Sequence, residues 1–427
     1  MRARLFLTAA ILALLGCHAA SAASSGLKPA VAADSTDDSA DTQPPPKSTA
    51  DDSDPYAALG IRAGGFILYP SLTIGAGYTS NAAAAAGGAP SSFGTVTPEL
   101  LIQSDWDRNA ASLDLKGTYQ DFFSDSADND PQASAEATGR LDLPHDWTSD
   151  LDALVQYDRE TLTDDDNPPD GPSGVTSITS SVDLTGDIGR AAITLTGIAD
   201  RTTYEDTTTA GVAIDQSDRN NDVFGAKLRV GYDTNAALTP FVEGEVDRSV
   251  FDRELDDHGI ARAGTGYSLR GGVSFDNDPV LSGEIALGGR QQTFDDTALT
   301  PISAFTVDGD LVWSPSRITT VTFDASTTVN PSTDPASSGS VVHDASLELA
   351  YDWRDNITLS GKGEVSREDY QGTGEVDDTY DLGVNAAWKL NRTLSINAGY
   401  THEWLESTDA SSNYQSDTVK LELRAQR

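Results

Sequence analysis

The sequence predicts an all-β protein, a transmembrane antiparallel up-and-down β-barrel of about 18 strands, with 16 strands as the alternative. Three observations predict it: a hairpin unit that repeats from about residue 65 to the C-terminus, residues that alternate between apolar and polar, and connections that alternate between short and long. Together they are typical of a sheet that closes on itself in a membrane, which needs no large apolar core.

The hairpin unit repeats with a nearly constant period. Short turns follow one another at intervals of 37 to 45 residues. Such a period indicates a repeated supersecondary unit, here two strands joined at their far ends by a long loop. The predicted turn centres are Arg108, Asp146, Gly189, Thr234, Asn277, Pro315, Arg354 and Asn391.

Alternation within the strands is clearest near the C-terminus. One stretch places Leu394, Ile396 and Ala398 on one face and the intervening Ser395 and Asn397 on the other. A period of two over about ten residues is typical of a tilted strand that crosses a bilayer, whereas a helix needs apolar residues three and four apart. We therefore expect apolar side chains to face lipid and polar side chains to face the lumen.

The long connections are rich in acidic residues, and the short ones are tight turns. Outer-membrane barrels have short turns on the periplasmic side and longer loops outside. The loop lengths therefore predict that the chain starts and ends in the periplasm, as an even strand number requires. The predicted long loops are Ser124–Ala133, Thr163–Gly174, Tyr204–Asn221, Arg253–Gly266 and Asn330–Gly339.

The aromatic residues agree with this orientation. Five of the six tryptophans lie beside a predicted short turn, and other aromatic side chains lie towards the long loops. Two aromatic girdles are what the two lipid–water interfaces favour. The tryptophans of the predicted short-turn girdle are Trp106, Trp147, Trp313, Trp353 and Trp388.

Composition limits the function. Only 38% of the 427 residues are hydrophobic, and the formal net charge is −39. Such a chain would pack a poor soluble core, but a wide barrel needs none. The excess of acidic residues argues against nucleic acid as a partner, because phosphate backbones attract basic patches.

The N-terminus has the features of an export signal. Arg2 and Arg4 precede the apolar stretch 5–16, and Ala20-Ser21-Ala22 fits the small-residue cleavage rule. We expect a signal peptide over residues 1–22, cleaved after Ala22. The alternative, a lipoprotein signal that ends at Cys17, stays open.

Three regions follow from these patterns. After the signal peptide, residues 23–58 are predicted to be a disordered, acidic, proline-containing linker, since they hold too few apolar residues to bury. Residues 59–427 are predicted to be the outer-membrane barrel of a Gram-negative bacterium. No stretch after the signal is long and apolar enough for a membrane helix.

The start of the predicted barrel resembles a known family. The sequence LGIRAGGFILYPSL at residues 59–72, followed by Tyr78-Thr79-Ser80-Asn81, is similar to the opening of the outer-membrane "putative beta-barrel porin 2" proteins. Thr79 stands where that family more often has Asp, and the chain ends on Arg427 where many barrels end on an aromatic residue. The resemblance implies a porin, and it leaves a role in exopolysaccharide export or surface attachment open.

Charged residues on the predicted lumen face are the candidate functional residues. On four neighbouring strands, the eighth to the eleventh, acidic and basic side chains share the inner face. Opposed charges across a pore would orient polar solutes, whereas cross-strand pairs would only stiffen the wall, and the sequence leaves both interpretations open. The candidate pore-lining residues are Lys227, Arg229, Glu243, Glu245, Arg270, Glu284 and Arg290.

Catalytic and metal-binding patterns are lacking in the sequence. The five histidines fall on unrelated segments, and no Gly-x-Ser-x-Gly motif is present. Acidic pairs such as Asp256-Asp257 and Asp295-Asp296, and the Asp164–Asp166 run, could attract Ca²⁺ or Mg²⁺, but none matches a calcium loop, so solvated loops are the simpler interpretation. We expect no enzyme activity, cofactor or resident metal.

The expected partners follow from the predicted location. They are outer-membrane lipid and lipopolysaccharide, the barrel assembly machinery, and small hydrophilic solutes that cross passively. The acidic loops favour cations among those solutes.

Overall fold

The computed structural model describes residues 54–124, 127, 129–160, 173–209, 212–234, 237–275 and 280–427. The predicted signal peptide, nearly all of the predicted linker, the Asp164–Asp166 run and the turn centre Asn277 lie outside these residues. The described chain forms one antiparallel sheet of 19 strands, which consists of 18 long strands and one strand of three residues. A separate two-stranded ribbon, 207–209 with 212–214, lies in one of the long loops.

The long strands each contain 11 to 15 residues, enough to cross a bilayer when tilted. In chain order they are β1 (Phe66–Thr79), β2 (Ser91–Ser104), β3 (Ala110–Phe122), β4 (Asp130–Asp142), β5 (Thr148–Arg159), β6 (Gly174–Ile188), β7 (Ala191–Tyr204), β8 (Asn221–Tyr232), β9 (Thr239–Phe251), β10 (Gly264–Ser274), β11 (Leu281–Phe294), β12 (Ile302–Ser316), β13 (Thr319–Asn330), β14 (Ser340–Arg354), β15 (Ile357–Tyr370), β16 (Val376–Lys389), β17 (Leu394–Ser407) and β18 (Tyr414–Gln426).

The sheet is closed. Each long strand pairs with the next along the chain, and β1 pairs with β18 from Ser71 opposite Gln426 to Thr79 opposite Thr418. A closed sheet has no free edge at which another chain could add. The prediction of an 18-stranded up-and-down barrel is therefore confirmed, and the alternative of 16 strands is wrong.

Short turns and long loops lie at opposite ends of the barrel. The turn between β6 and β7 contains only residues 189 and 190, whereas the loop between β7 and β8 runs from 205 to 220. Two predicted turn centres fall inside strands, because Pro315 belongs to β12 and Arg354 ends β14. Both strands have 15 residues and continue to two-residue turns.

Side chains alternate in environment along each strand. On β14, Leu347 and Leu349 are exposed, and on β18, Val419 and Leu421 are exposed, while the intervening polar residues are more covered. Alternate residues of a closed barrel point to the surroundings and to the axis. The exposed apolar residues thus form the outer surface, and most charged residues of the strand interiors face the lumen.

Helix is nearly absent from the described residues, which contain one 3₁₀ turn at Pro144–Asp146. None of the helical structure in that part of the chain has the length and hydropathy needed to span a bilayer.

The segment before β1 lies at the short-turn end of the barrel, next to the place where β1 pairs with β18. Residues Ile61–Ala63 pair with the start of β1, directly below the point where β18 ends. Farther back, Asp54 bonds to the Lys389 ammonium at 3.0 Å, and the carbonyl oxygen of Pro55 accepts a hydrogen bond from Arg392 at 2.7 Å. The segment therefore spans from β1 to the end of β16.

Candidate functional site

The seven predicted pore-lining residues all lie on the inner face of the barrel wall. Their neighbours Leu228, Val242 and Leu269 point outwards and are 50%, 56% and 65% exposed. By contrast, Glu243 and Arg270 are buried against the inner wall. The two-residue period of the strands places these charges together on that face.

Arg270 is the centre of this charged group. Its guanidinium lies 2.7 Å from Glu243, 2.9 Å from Asp308 and 3.2 Å from Glu245. These carboxylates come from β9 and β12, so the arginine joins strands on both sides of its own. The arginine fork can satisfy several acceptors at once, which a lysine ammonium does less well.

A glycine makes the contact with Asp308 possible. Arg270 on β10 reaches β12 across β11, and the residue opposite it on β11 is Gly288. A Cβ at Gly288 would lie 2.6 Å from Cγ of Arg270 and 2.2 Å from the carbonyl oxygen of Leu269. Any other residue at this position would displace the arginine from its path.

Two further arginines extend the group along the wall. Arg229 bonds to both oxygens of Glu284 at 2.9 and 2.6 Å, and its guanidinium carbon lies 3.5 Å from the centre of the Phe241 ring. Arg290 lies 2.8 Å from Asp247. Bidentate pairing and stacking on an aromatic ring both fix the orientation of a guanidinium.

The charged group is therefore largely self-neutralised. The inner face here carries four cations, which are Lys227 and the three arginines. It also carries five carboxylates, which belong to Glu243, Glu245, Asp247, Glu284 and Asp308. The pairs run between strands of one wall and do not face one another across the lumen. Of the two interpretations left open by the sequence, this geometry corresponds to cross-strand pairing.

Other parts of the inner face carry carboxylates that oppose each other. Asp114 on β3 stands opposite Glu136 on β4, and Asp150 on β5 stands opposite Asp183 on β6. Like charges at directly opposite positions destabilise a sheet. Two longer rows of the same kind are Glu284–Asp310–Asp324 and Glu364–Asp381–Glu403.

Four of the five girdle tryptophans are about half exposed at the short-turn end. The fifth, Trp147, lies over Gly186, where an added Cβ would come within 2.3 Å of its ring. Arg354 lies over the ring of Trp353 at 4.9 Å. The half-exposed tryptophans are Trp106, Trp313, Trp353 and Trp388.

One residue of the acidic loops, Asp256, differs from the expectation of simple solvation. Asp256 is buried and bonds to Arg262, and Asp295 bonds to both outer nitrogens of Arg248. Their carboxylates are already occupied by protein groups. Among the described residues, no group of three or more His, Cys, Asp or Glu side chains is arranged to hold a metal ion.

Sequence reasoning missed some members of the charged wall. Asp247 continues the inward row of Glu243 and Glu245 on β9, so the same two-residue period contains the signal for it. Phe241 lies in that row as well, but nothing in the sequence marks it as the platform for Arg229. That contact depends on the register between β8 and β9.

Comparison with known proteins gives a family and several similar folds. The family described as "putative beta-barrel porin 2" matches residues 54–427. No curated protein matches the chain.

Three solved barrels illustrate the structural similarity. The copper transporter OprC has a TM-score of 0.45 and 9% identity, with 86% of this chain and 81% of that chain covered. OpdK from Pseudomonas aeruginosa has a TM-score of 0.43 and 10% identity, with 84% and 99% covered. The siderophore receptor PirA from Pseudomonas aeruginosa has a TM-score of 0.41 and 9% identity, with 84% and 80% covered.

Proposed function

Because the chain belongs to the "putative beta-barrel porin 2" family of outer-membrane β-barrels, we propose that it is a passive channel for small hydrophilic solutes or ions. One observation carries the proposal: the wall is closed, with large apolar side chains outside and charged side chains inside. This distribution suits lipid on one face and water on the other.

The size of the barrel supports an aqueous lumen. Barrels of about eight strands are filled by their own side chains, whereas barrels of 16 to 18 strands leave room for water. The charged inner wall would cost free energy in a dry interior, because buried charges need partners or solvent. Water in the lumen removes much of that cost.

We place the long-loop end at the cell exterior and the short turns in the periplasm. The loop lengths and the level of the tryptophans support this orientation. Both ends of the mature chain then lie in the periplasm, after removal of a signal peptide over residues 1–22. Lipopolysaccharide would surround the long-loop end, and the barrel assembly machinery would insert the protein.

We further propose that the channel prefers cations. The arginines of the inner wall are paired with carboxylates, while the rows that contain Glu136, Asp183 and Asp324 add negative charge to the lumen. A lumen with excess negative charge raises the local concentration of cations and lowers that of anions.

Single-channel recording tests the proposal. Purified protein, shown to be folded by its heat-dependent mobility on a gel, is added to a planar bilayer in potassium chloride. We expect stepwise, ohmic conductance. Repeated absence of steps from folded, inserted protein would show that it is not an open channel.

A further inference from the structure

Several inward-facing apolar residues at the long-loop end are buried. Ile302 is 1% exposed, Val342 is 3% exposed, and Phe251 and Tyr370 are 9% and 8% exposed. Each lies at the end of its strand or within two residues of it, and shares the inner face with the charged residues. In an open mouth these side chains would face the water of the lumen, so another part of the chain must cover them.

The loop between β13 and β14 provides part of this cover. A Cβ at Gly339 would lie 3.2 Å from Cδ1 of Ile302, although Gly339 precedes β14 and Ile302 begins β12. The backbone N–H of Thr300 also donates to the Ser338 hydroxyl at 3.0 Å. Because Ile302 points into the barrel, these contacts place residues 337–339 on the lumen side of β12. The positive φ of Gly339, +140°, allows the chain to make this inward step.

Arg262 joins two loops that belong to strands four positions apart. It lies in the β9–β10 loop, and its guanidinium donates to the carbonyl oxygens of Ser337, Asp334 and Thr333 in the β13–β14 loop, at 2.7, 2.7 and 3.2 Å. Its side chain is only 2% exposed. An arginine that is this buried remains charged and needs all of these acceptors.

Asp256 holds the arginine in place. Its carboxylate accepts from Nε of Arg262 at 2.8 Å and from the backbone N–H groups of His258 and Ile260 at 2.9 and 2.8 Å. Burial opposes ionisation, but the hydrogen bonds from Ile260 and Arg262 outweigh it and hold the pKa of Asp256 below its usual range. Arg262 and Asp256 are thus a buried ion pair inside the loops.

The third loop lies between the other two. The backbone N–H of Ala261 donates to the Asp296 carboxylate at 3.4 Å, and Leu299 is buried in the same region. We call the three segments together the loop cap: residues 252–263, 295–301 and 331–339. The loop cap covers the inner face at the ends of β9 to β14.

We propose that the loop cap narrows the long-loop mouth of the barrel, and that Arg262 is the latch that holds it closed. This goes beyond the channel function proposed above, because a barrel with an aqueous lumen would conduct with or without such a cap. The latch is a direct link between the β9–β10 and β13–β14 loops, and its loss leaves the buried Asp256 carboxylate without its counterion. The loop cap should then move away from the lumen wall.

Thiol labelling tests the latch without reliance on conduction. In a Cys17→Ser background, Ile302→Cys and Val342→Cys place thiols under the cap, and Ala298→Cys places one on its exposed surface. We expect slow maleimide labelling at 302 and 342, at least tenfold faster labelling after Arg262→Ala, and fast labelling at 298 in both cases. Equal rates with and without Arg262, at both covered positions, would overturn the proposal.

Arg253→Ala is the matched control. Arg253 lies in the same loop and bonds to Asp257 at 2.6 Å, but both side chains are exposed. The substitution removes the same charge from the same loop without loss of the buried pair. We expect no change in labelling, and acceleration as large as that of Arg262→Ala would mean that loop charge, not the latch, governs access.

Conductance gives the second measurement. We expect Arg262→Ala to raise single-channel conductance or to add fluctuations between levels, with Arg253→Ala like the parent. If no variant conducts, the proposed channel function is wrong. The labelling rates still show whether Arg262 holds the loop cap over the inner face. If all variants conduct alike while the labelling rates change, the loops move but do not narrow the route of the ions. That result would overturn the proposal that the loop cap narrows the mouth.

Discussion

For single residues of the inner wall, the face of the sheet that each occupies could be predicted from the sequence, but the residue that each pairs with could not. The two-residue period placed all seven candidate residues on the lumen side. Their partners depend on register, because Arg270 reaches Asp308 across an intervening strand at Gly288. The same limit explains Asp256, which was expected to be solvated but is buried beside Arg262, and this arginine donates to backbone oxygens more than 70 residues away. Local charge patterns carry no information about contacts at that separation.

The first prediction concerns the buried pairs of that wall. Arg270→Gln removes the cation that pairs with Asp308 and the nearer of the two that pair with Glu243, while both carboxylates stay covered. Loss of one member of a buried pair costs about 3–5 kcal/mol. We expect the free energy of unfolding in denaturant, measured in detergent or lipid, to fall by roughly this amount.

Arg367→Gln is the matched comparison. Arg367 bonds to Asp378 at 3.1 Å, but its side chain is 53% exposed. Exposed pairs contribute about 0–1 kcal/mol. Equal losses for the two variants would show that water reaches the Arg270 group freely and that its pairs add little to stability.

Whole strands were more predictable than their boundaries. The turn spacing and the alternation placed the 18 long strands, whereas β12 extends one residue past its predicted turn centre and β14 ends on its own. The short strand Ile61–Ala63 escaped prediction because three residues cannot display a period. The contact between Asp54 and Lys389 escaped as well, because the segment around Asp54 has the composition of a linker.

The second prediction concerns the segment 54–63. Lys389 and Arg392 hold its start, and Arg62 within it is an exposed trypsin site. Local opening exposes a backbone to proteases in proportion to the population of the open form. We expect Lys389→Ala with Arg392→Ala to accelerate tryptic cleavage after Arg62 severalfold, as measured by mass spectrometry of the fragments.

Arg354→Ala is the control for the second prediction. It removes a cation from another short turn, where Arg354 contacts the ring of Trp353 and not the segment 54–63. Cleavage after Arg62 should keep its original rate. An unchanged rate in the double variant too would mean that the strand pairing at 61–63 alone protects the segment.

At the scale of the whole molecule, the net charge of −39 and the closed wall act together. The acidic residues that argue against nucleic acid as a partner lie partly on the inner face, where the strands bring carboxylates to opposite positions. Such pairs destabilise a sheet, and water and mobile cations would reduce that cost if the lumen is aqueous, as proposed. The charge distribution is therefore more compatible with a wet, cation-rich interior than with a packed one.

The third prediction follows from that distribution. Glu136→Gln with Asp152→Asn removes two inward carboxylates from neighbouring strands, while Glu406→Gln removes an exposed carboxylate from the outward face. We expect the double variant to have a lower permeability ratio of potassium over chloride, read from the reversal potential in a salt gradient, and Glu406→Gln to match the parent. The difference should be largest near 0.01 M salt, where the Debye length is about 30 Å, and nearly absent at 1 M, where it is about 3 Å. A parent channel that prefers chloride, or equal shifts in both variants, would contradict the assignment of selectivity to the inner wall.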